Sequence, residues 1–134
     1  MLKPGDRFEK TFSFTQEQVN QFAELSGDKN PIHLDAEYAA NTSFGRRIVH
    51  GILTISIFSQ LIGMEFPGAG TIYLGQDIDF KRPVFPDEEY KVILEVAEVL
   101  EGKHIASIKT QIYDANNKIA VDGFSRVKNK EKIA

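Results

Sequence analysis

Cysteine is absent from the chain of 134 residues. That absence excludes disulfide bonds, thiolate nucleophiles, iron–sulfur clusters and zinc sites built on cysteine, and it is typical of a reducing compartment. Long hydrophobic runs are also missing, since the longest mostly apolar stretch, residues 52–64, is too short to cross a bilayer. The first six residues lack the apolar region of a signal peptide. We therefore expect a cytoplasmic protein with no membrane partner.

The chain has no large excess of either positive or negative charge. The 16 basic and 19 acidic side chains leave a formal net charge of −3. This provides no field that would gather a polyanion, so we expect no nucleic-acid partner. The 42% hydrophobic and 26% charged residues are typical of a globular protein, and the length predicts one domain over residues 1–134.

Helix signals occupy the first half of the chain. Thr15 and Gln18 form a T-x-x-Q capping box, and Gly27 is a natural stop, so we predict a helix between them. Pro31 prevents this helix from continuing, because it has no backbone donor. A further short helix is predicted to begin with Asp35 as its cap.

Residues 51–63 carry apolar side chains most of the way round a helix, which predicts a buried one. A strand is the alternative, because the segment is rich in isoleucine. Its length and the helical spacing of Ser56, Ser59 and Gln60 favour the helix.

After residue 70 the hydrophobic period changes to two. One side of the first such segment carries Ile72, Leu74, Ile78 and Phe80, and further alternating segments begin at residues 90, 106 and 119. Residues 101–103 and 114–117 have turn composition.

We make two further predictions for the last segment. Gly123 is a weak point that predicts a bulge or bend in the last strand. The lysine-rich tail from Lys128 is expected to fray.

Early helices and a late antiparallel meander indicate an α+β fold in which a sheet covers the buried helix. Such a sheet leaves edge strands and an apolar flank, so we expect a homodimer.

Chemistry concentrates in residues 27–35. Asp28 and His33 lie on either side of a turn, where both side chains could hold one water molecule and move its protons. The alternative is that Asp28 and Asn30 only cap the helix break and that His33 is a satisfied, half-buried histidine. A calcium loop is excluded because a ligand and a glycine are missing at the required positions. Zinc is not expected, because no other histidine has close ligand spacing.

A second polar element, His50-Gly51, opens the buried helix. Free amides at a helix N-terminus stabilise negative charge, so the Gly51 amide could hold an oxyanion. The alternative is a tight turn at Gly51. We expect His50 to cap the helix or to make a supporting hydrogen bond. Two basic pairs could meet a phosphate, although surface solvation explains most such pairs; they are Arg46 with Arg47 and Lys81 with Arg82.

Residues 22–35 and 44–51, with their D-x-N-P-x-H and I-V-H-G motifs, resemble the MaoC-like hydratases, specifically the (R)-specific enoyl-CoA hydratases. The resemblance extends over residues 73–76 and 80–84 and covers nearly the whole chain; Arg47 stands where this family often has proline. It implies a hot-dog fold, in which an antiparallel sheet wraps a long central helix, and a dimer with sites near the subunit interface.

The resemblance also implies site roles. Asp28 and His33 correspond to the catalytic residues, Asn30 to the supporting asparagine and Gly51 to the oxyanion glycine. The implied reaction is the reversible hydration of a trans-2-enoyl-CoA to an (R)-3-hydroxyacyl-CoA, without a cofactor. In one assignment Asp28 accepts the proton of water and protonated His33 delivers a proton to C2, and the two roles could be exchanged.

Alternative functions on the same fold are an acyl-carrier-protein dehydratase, an acyl-CoA thioesterase and a non-catalytic acyl-thioester-binding module. The acyl pocket is predicted along the central helix, at Ile55, Phe58, Ser59 and Ile62.

Overall fold

A computed structural model describes all residues from Met1 to Ala134. Strand β1, Arg7–Phe12, is followed by helix α1, Gln16–Ser26. The predicted capping box is confirmed: the Thr15 hydroxyl accepts from the Gln18 amide, and the Gln18 side chain accepts from the Thr15 amide. Gly27 ends the helix in the left-handed conformation with φ 80°.

Two short helices follow, and both begin at side-chain caps. The Asn30 Oδ1 accepts from the Ile32 amide at 3.2 Å and begins α2, Pro31–Leu34. The predicted cap at Asp35 is confirmed, because its carboxylate accepts two amides at the start of α3, Ala36–Ala40. Proline stands at the first position of α2, where no backbone donor is needed.

The helix predicted after residue 50 is confirmed as α4, Gly51–Met64. Its buried apolar side chains are Ile57, Phe58, Leu61 and Ile62. They join a core with strand residues that include Val92, Leu94, Ile108, Ile112 and Val121. Each side chain of this size stabilises the fold by about 1.5–3 kcal/mol when it is fully buried.

One antiparallel sheet covers α4. Besides β1, its strands are β2, Ile72–Gln76; β3, Asp79–Phe80; β4, Tyr90–Leu100; β5, Ile105–Tyr113; and β6, Ile119–Lys128. Their order is β1-β4-β5-β6-β2, with β3 also paired to β6. The predicted α+β arrangement is thus confirmed. None of the helices combines the length and apolarity needed to cross a membrane.

The lysine-rich tail is anchored, so the expectation that it frays is wrong. Asn129 is 2% exposed, and its side chain accepts from the amides of Glu131 and Lys132. Ile133 is fully buried and pairs with Leu2. The burial of Ile133 holds the segment in place despite its polar composition.

The expectation of a bulge or bend at Gly123 is also wrong. It pairs regularly with Thr110 within β6, between the stretches that pair with β2 and β3. A β-carbon here would lie 1.9 Å from the carbonyl oxygen of Asp77, so glycine is required by the close approach of another chain segment.

The apolar side of the segment that begins at residue 72 faces outward for most of its length. Ile72, Leu74 and Phe80 are exposed, whereas Tyr73 packs against the core. A register shift between Tyr73 and Gly75 interrupts the strand. The outward-facing side chains of this segment therefore form an apolar surface on the single chain.

Candidate active site

Two chain segments meet beside the N-terminus of α4: the turn after α1 and the residues that lead into α4. The Ile48 amide donates to the Ile32 carbonyl at 3.2 Å. The His33 Nδ1 lies 2.9 Å from the Ile48 carbonyl, and the His50 Nε2 lies 2.9 Å from the Asp28 carbonyl. These backbone and ring contacts hold the two motifs together in space.

The contacts of His33 determine which ring nitrogen can react. A carbonyl only accepts hydrogen bonds, so Nδ1 carries the hydrogen in the contact with Ile48. Nε2 is then the unprotonated nitrogen of the neutral ring. Burial lowers the pKa of His33 below its ordinary 6.5 and nearby His50 lowers it further, against the Ile48 hydrogen bond and the Asp28 carboxylate, which raise it. The net direction favours a neutral imidazole that can accept a proton.

Asp28 lies beside this imidazole. One carboxylate oxygen of Asp28, one ring nitrogen of His33 and one ring nitrogen of His50 lie within 4.8 Å of one another. The Asp28 side chain is exposed and accepts from the Asn30 amide at 3.3 Å. Two groups that bind the same tetrahedral water lie about 4.6 Å apart at ordinary hydrogen-bond lengths, so groups within this limit are close enough to share one water molecule.

The same three residues must be weighed as a metal site. Each histidine already uses one ring nitrogen on a main-chain carbonyl. The other nitrogen of His50, Nδ1, is enclosed by protein. A tetrahedral metal would therefore need the His50 ring to leave its hydrogen bond, so the arrangement favours water and proton chemistry.

Asn30 uses its side-chain oxygen to cap α2. This is the local role that turn composition predicts, and it shapes the turn between Asp28 and His33. The turn residues are therefore partly structural, while the Asp28 carboxylate and the His33 ring remain placed together.

A cavity of about 480 Å³ opens beside Asp28, and His50 and Gly51 also contribute to its wall, whereas His33 is not among the lining residues. No side chain caps the N-terminus of α4, so the amides of its first turn are free. The helix dipole adds to their preference for negative charge. Gly51, the first residue of α4, thus lines the cavity that Asp28 also lines.

The predicted basic residues separate into different environments. Lys81 and Arg82 line the cavity, and Arg82 also donates to the Ile119 carbonyl at 2.7 Å. Arg46 stacks on the Phe85 ring at 3.8 Å and pairs with Glu88. Arg46 and Arg82 both line a second, more polar cavity of about 360 Å³. The guanidinium of Arg47 lies 3.4 Å from the Leu34 carbonyl.

The four helix positions predicted to line the acyl pocket lie elsewhere. Phe58 and Ile62 are buried in the core, Ile55 packs partly against it and Ser59 is exposed. None of them lines the cavity beside Asp28.

The sequence predicted only a supporting role for His50 in the site. Of the two expected roles, the structure shows the hydrogen bond, and the ring makes no helix cap. Its stacking on the His33 ring, with centroids 3.9 Å apart, was not anticipated. The I-V-H-G motif was the signal available, but it does not indicate which ring His50 meets.

The chain is similar to several known proteins. Residues 3–117 match the family described as MaoC like domain. The chain is 44% identical over 127 residues to an (R)-specific enoyl-CoA hydratase from Aeromonas caviae, covering 95% of both chains. It is 34% identical over 123 residues to a mitochondrial 3-hydroxyacyl-[acyl-carrier-protein] dehydratase from Arabidopsis thaliana, covering 90% of this chain and 73% of the other.

Solved structures show the same fold. An (R)-hydratase from A. caviae superposes with a TM-score of 0.92 at 44% identity, covering 96% of this chain and 97% of the other. An R-hydratase from Pseudomonas aeruginosa gives a TM-score of 0.89 at 42% identity, covering 96% and 82%. The expected hot-dog architecture is thereby confirmed.

Proposed function

The chain belongs to the MaoC-like domain family, and from this premise we propose that it is an (R)-specific enoyl-CoA hydratase. The observation that carries the proposal is that Asp28 lies next to the His33 ring and lines the same cavity as Gly51, the first residue of α4. These groups supply what the addition of water to an α,β-unsaturated thioester needs: a water site, a proton acceptor and a place for the enolate charge.

In the proposed reaction, water lies between the Asp28 carboxylate and the His33 Nε2. As the water oxygen forms its bond to C3, one O–H bond of the water breaks and the proton passes to Nε2. The second O–H group stays intact and donates a hydrogen bond to the Asp28 carboxylate. The π electrons of the C2–C3 double bond shift toward the thioester carbonyl carbon, and negative charge develops on the carbonyl oxygen. Protonated His33 then delivers its proton to C2, which returns the ring to its starting state.

The direction of the His33 pKa shift supports this assignment. A neutral ring at pH 7 is ready to accept a proton in the hydration direction. The proposal therefore gives His33 both proton transfers, the acceptance from water and the delivery to C2, and Asp28 holds the water.

The Gly51 amide is the proposed donor to the thioester oxygen. It accelerates the reaction because the negative charge on that oxygen is larger in the transition state than in the substrate. Loss of one oxyanion donor in enzymes costs about 2.7–4 kcal/mol of the activation free energy.

We assign the CoA phosphates to Lys81 and Arg82 at the cavity and to Arg46 at the second cavity. Arg46 and Arg82 line one polar cavity together, so their guanidinium groups can reach the same bound molecule. Arg47, which lies by the Leu34 carbonyl, is the weakest member of the predicted set.

A homodimer forms part of the proposal. The exposed side chains of Ile72, Leu74 and Phe124 lie on the neighbouring strands β2 and β6 at one edge of the sheet. Apolar surface of this kind is favourable to bury against a second copy. Sedimentation of the purified chain measures its mass directly.

An acyl-carrier-protein dehydratase is the second candidate, supported by the similarity to the A. thaliana dehydratase. The chemistry at Asp28 and His33 would be the same, run toward loss of water. Only the carrier that presents the thioester distinguishes the two functions.

The test is a thioester panel with the purified protein. Crotonyl-CoA should lose its enoyl absorbance and give (R)-3-hydroxybutyryl-CoA. Faster turnover of the crotonyl-acyl carrier protein would favour the second candidate. Release of free thiol would indicate a thioesterase, and binding without turnover would indicate a binding module; either result would overturn the proposal.

A further inference from the structure

We propose that His50 is a positioning residue that holds Asp28 and His33 in their relative places for proton transfer. The inference rests on the proposed hydratase function, because it assigns His50 a part in that same site. His50 itself need not contact substrate, since its effect passes through its two neighbours.

The first contact acts on Asp28. The His50 Nε2 donates to the main-chain carbonyl of Asp28 at 2.9 Å, across 22 positions of sequence. Asp28 lies in the turn between α1 and α2, and its side chain is exposed. A hydrogen bond from a buried ring to this carbonyl restrains the backbone that carries the carboxylate.

The second contact acts on His33. The rings of His33 and His50 stack with centroids 3.9 Å apart and planes 28° apart. The bond from Nδ1 to Ile48 restrains the His33 ring within its own plane, and the stack restrains it against tilting. The direction of the free Nε2 is therefore set by two neighbours.

The His50 ring is itself held from a further side. The Phe22 ring meets it edge-on, with centroids 4.9 Å apart and an interplanar angle of 67°. Its own carbonyl accepts from the Thr54 amide at 2.9 Å and from the Thr54 hydroxyl at 3.0 Å. Since Gly51 follows directly, a displacement of His50 would disturb the carboxylate, the imidazole and the oxyanion amide together.

An unpaired atom shows that stability alone does not explain a histidine here. Nδ1 of His50 is the one buried side-chain nitrogen or oxygen without a hydrogen-bond partner, and the residue is 2% exposed. A buried polar atom without a partner destabilises a fold. A phenylalanine at this position would remove that atom and keep an aromatic ring for stacking, but it would lose the donor to Asp28.

Two variants separate the contacts. His50→Phe keeps a ring and loses the donor, whereas His50→Gln keeps an N–H group at a similar reach and loses the ring. We expect His50→Phe to melt at or above the wild-type temperature, with kcat for crotonyl-CoA hydration lowered about tenfold or more and KM within about twofold, because small misplacements of reacting groups are costly. We expect His50→Gln to retain more of kcat than His50→Phe but less than the wild type.

The matched control is His104→Gln. His104 also donates a ring N–H to a main-chain carbonyl, that of Ile133 at 2.8 Å, but near the C-terminus. This variant should lower the melting temperature and leave kcat unchanged. Wild-type kcat in His50→Gln, or in folded His50→Phe, would overturn the positioning role. If His50→Phe does not fold, His50→Gln decides alone.

A measurement without turnover separates this proposal from the proposed function. Histidine ¹⁵N spectra at pH 8 should show the neutral His33 protonated at Nδ1 and the neutral His50 at Nε2, and His50→Phe should shift the His33 signals. Unchanged His33 signals would overturn the positioning role whatever the activity. A wild-type protein inactive on every enoyl thioester, with the expected spectra, would overturn only the proposed function.

Discussion

The Phe80 ring lies directly over Gly51. A β-carbon built on Gly51 would be 2.8 Å from Cζ and 2.9 Å from Cε1 of this ring. Phe80 is 54% exposed and lines the cavity together with Gly51. The absence of a side chain at the first residue of α4 thus lets an aromatic ring pack where a β-carbon would stand, next to the amide assigned to the oxyanion.

Gly51→Ala should therefore impair the reaction more than the fold. The exposed ring can rotate away, so we expect the free energy of unfolding to change by no more than about 1 kcal/mol. The displaced ring and the new methyl group alter the cavity wall beside the amide, and hydration should fall about tenfold or more.

Gly63→Ala, in the same helix, has open space around the new methyl and is the matched control. It should raise stability by about 0.5–1 kcal/mol without changing activity. Steady-state kinetics and chemical denaturation of both variants check this pair, and wild-type activity in Gly51→Ala would contradict the assigned role of the amide.

Asp28→Asn and His33→Asn test the two proton-transfer groups. Asn at position 33 can keep a donor toward the Ile48 carbonyl, and Asn at position 28 can keep an acceptor for the Asn30 amide. We expect each folded variant to lose about 10²–10⁴-fold in kcat, the usual contribution of general acid–base catalysis.

Asp87→Asn is the control for the carboxylate change, because Asp87 is exposed and has a positive φ that asparagine tolerates. It should retain wild-type kcat. Activity near that of the wild type in Asp28→Asn or His33→Asn would refute their assigned roles.

The pH dependence of stability should carry the signature of His33. Its pKa is lower in the folded chain than the ordinary 6.5, so the unfolded chain binds more protons between the two values. The contribution of neutral His33 to the free energy of unfolding is therefore fully present above pH 6.5. It decreases as the pH drops through that value, and it stops changing below the pKa of the folded state.

Urea unfolding at pH 5.5 and pH 8 measures this effect. The loss of stability between the two pH values should be smaller in His33→Asn than in the wild type. An equal loss in both proteins would show that burial of His33 does not contribute to the pH dependence.

Gly123→Ala should destabilise the fold strongly. The new methyl would lie 1.9 Å from the Asp77 carbonyl oxygen and 2.8 Å from its carbonyl carbon, and a main-chain group cannot rotate away as a side chain can. We expect a loss of about 3 kcal/mol or more, the upper end for overpacked positions. Gly75→Ala meets only the flexible Arg126 side chain, at 3.5 Å, and should leave the denaturation midpoint nearly unchanged.

Lys81→Ala tests the assigned phosphate contact. The KM for crotonyl-CoA should rise about two- to fivefold, the effect of one partly exposed charge. The KM for crotonyl-pantetheine, which has no phosphate, should not change. Lys103→Ala, in the turn between β4 and β5, is the control. Equal effects on both substrates would show that Lys81 acts on something other than phosphate.

Local signals in the sequence predicted a large part of the fold. The caps at Thr15 and Asp35, the stop at Gly27 and the buried α4 depend on neighbours within a few positions, so they could be read without the rest of the chain. The turns between β4, β5 and β6 were predicted for the same reason. Segments that depend on a distant neighbour were not: the tail is anchored by Ile133, and the Asp77 carbonyl determines what fits at Gly123.

The sequence by itself determined which groups are available for chemistry: a carboxylate and an imidazole on one turn, and a glycine at the start of an apolar helix. Only the tertiary structure decided that the His50 ring would meet both the Asp28 carbonyl and the His33 ring, and that Phe80 would cover Gly51. The physical reason is that the ring stack and the hydrogen bond join residues 17 and 22 positions apart, so they depend on how separate segments of the chain pack together. No local pattern records the direction in which a side chain meets a partner from another segment.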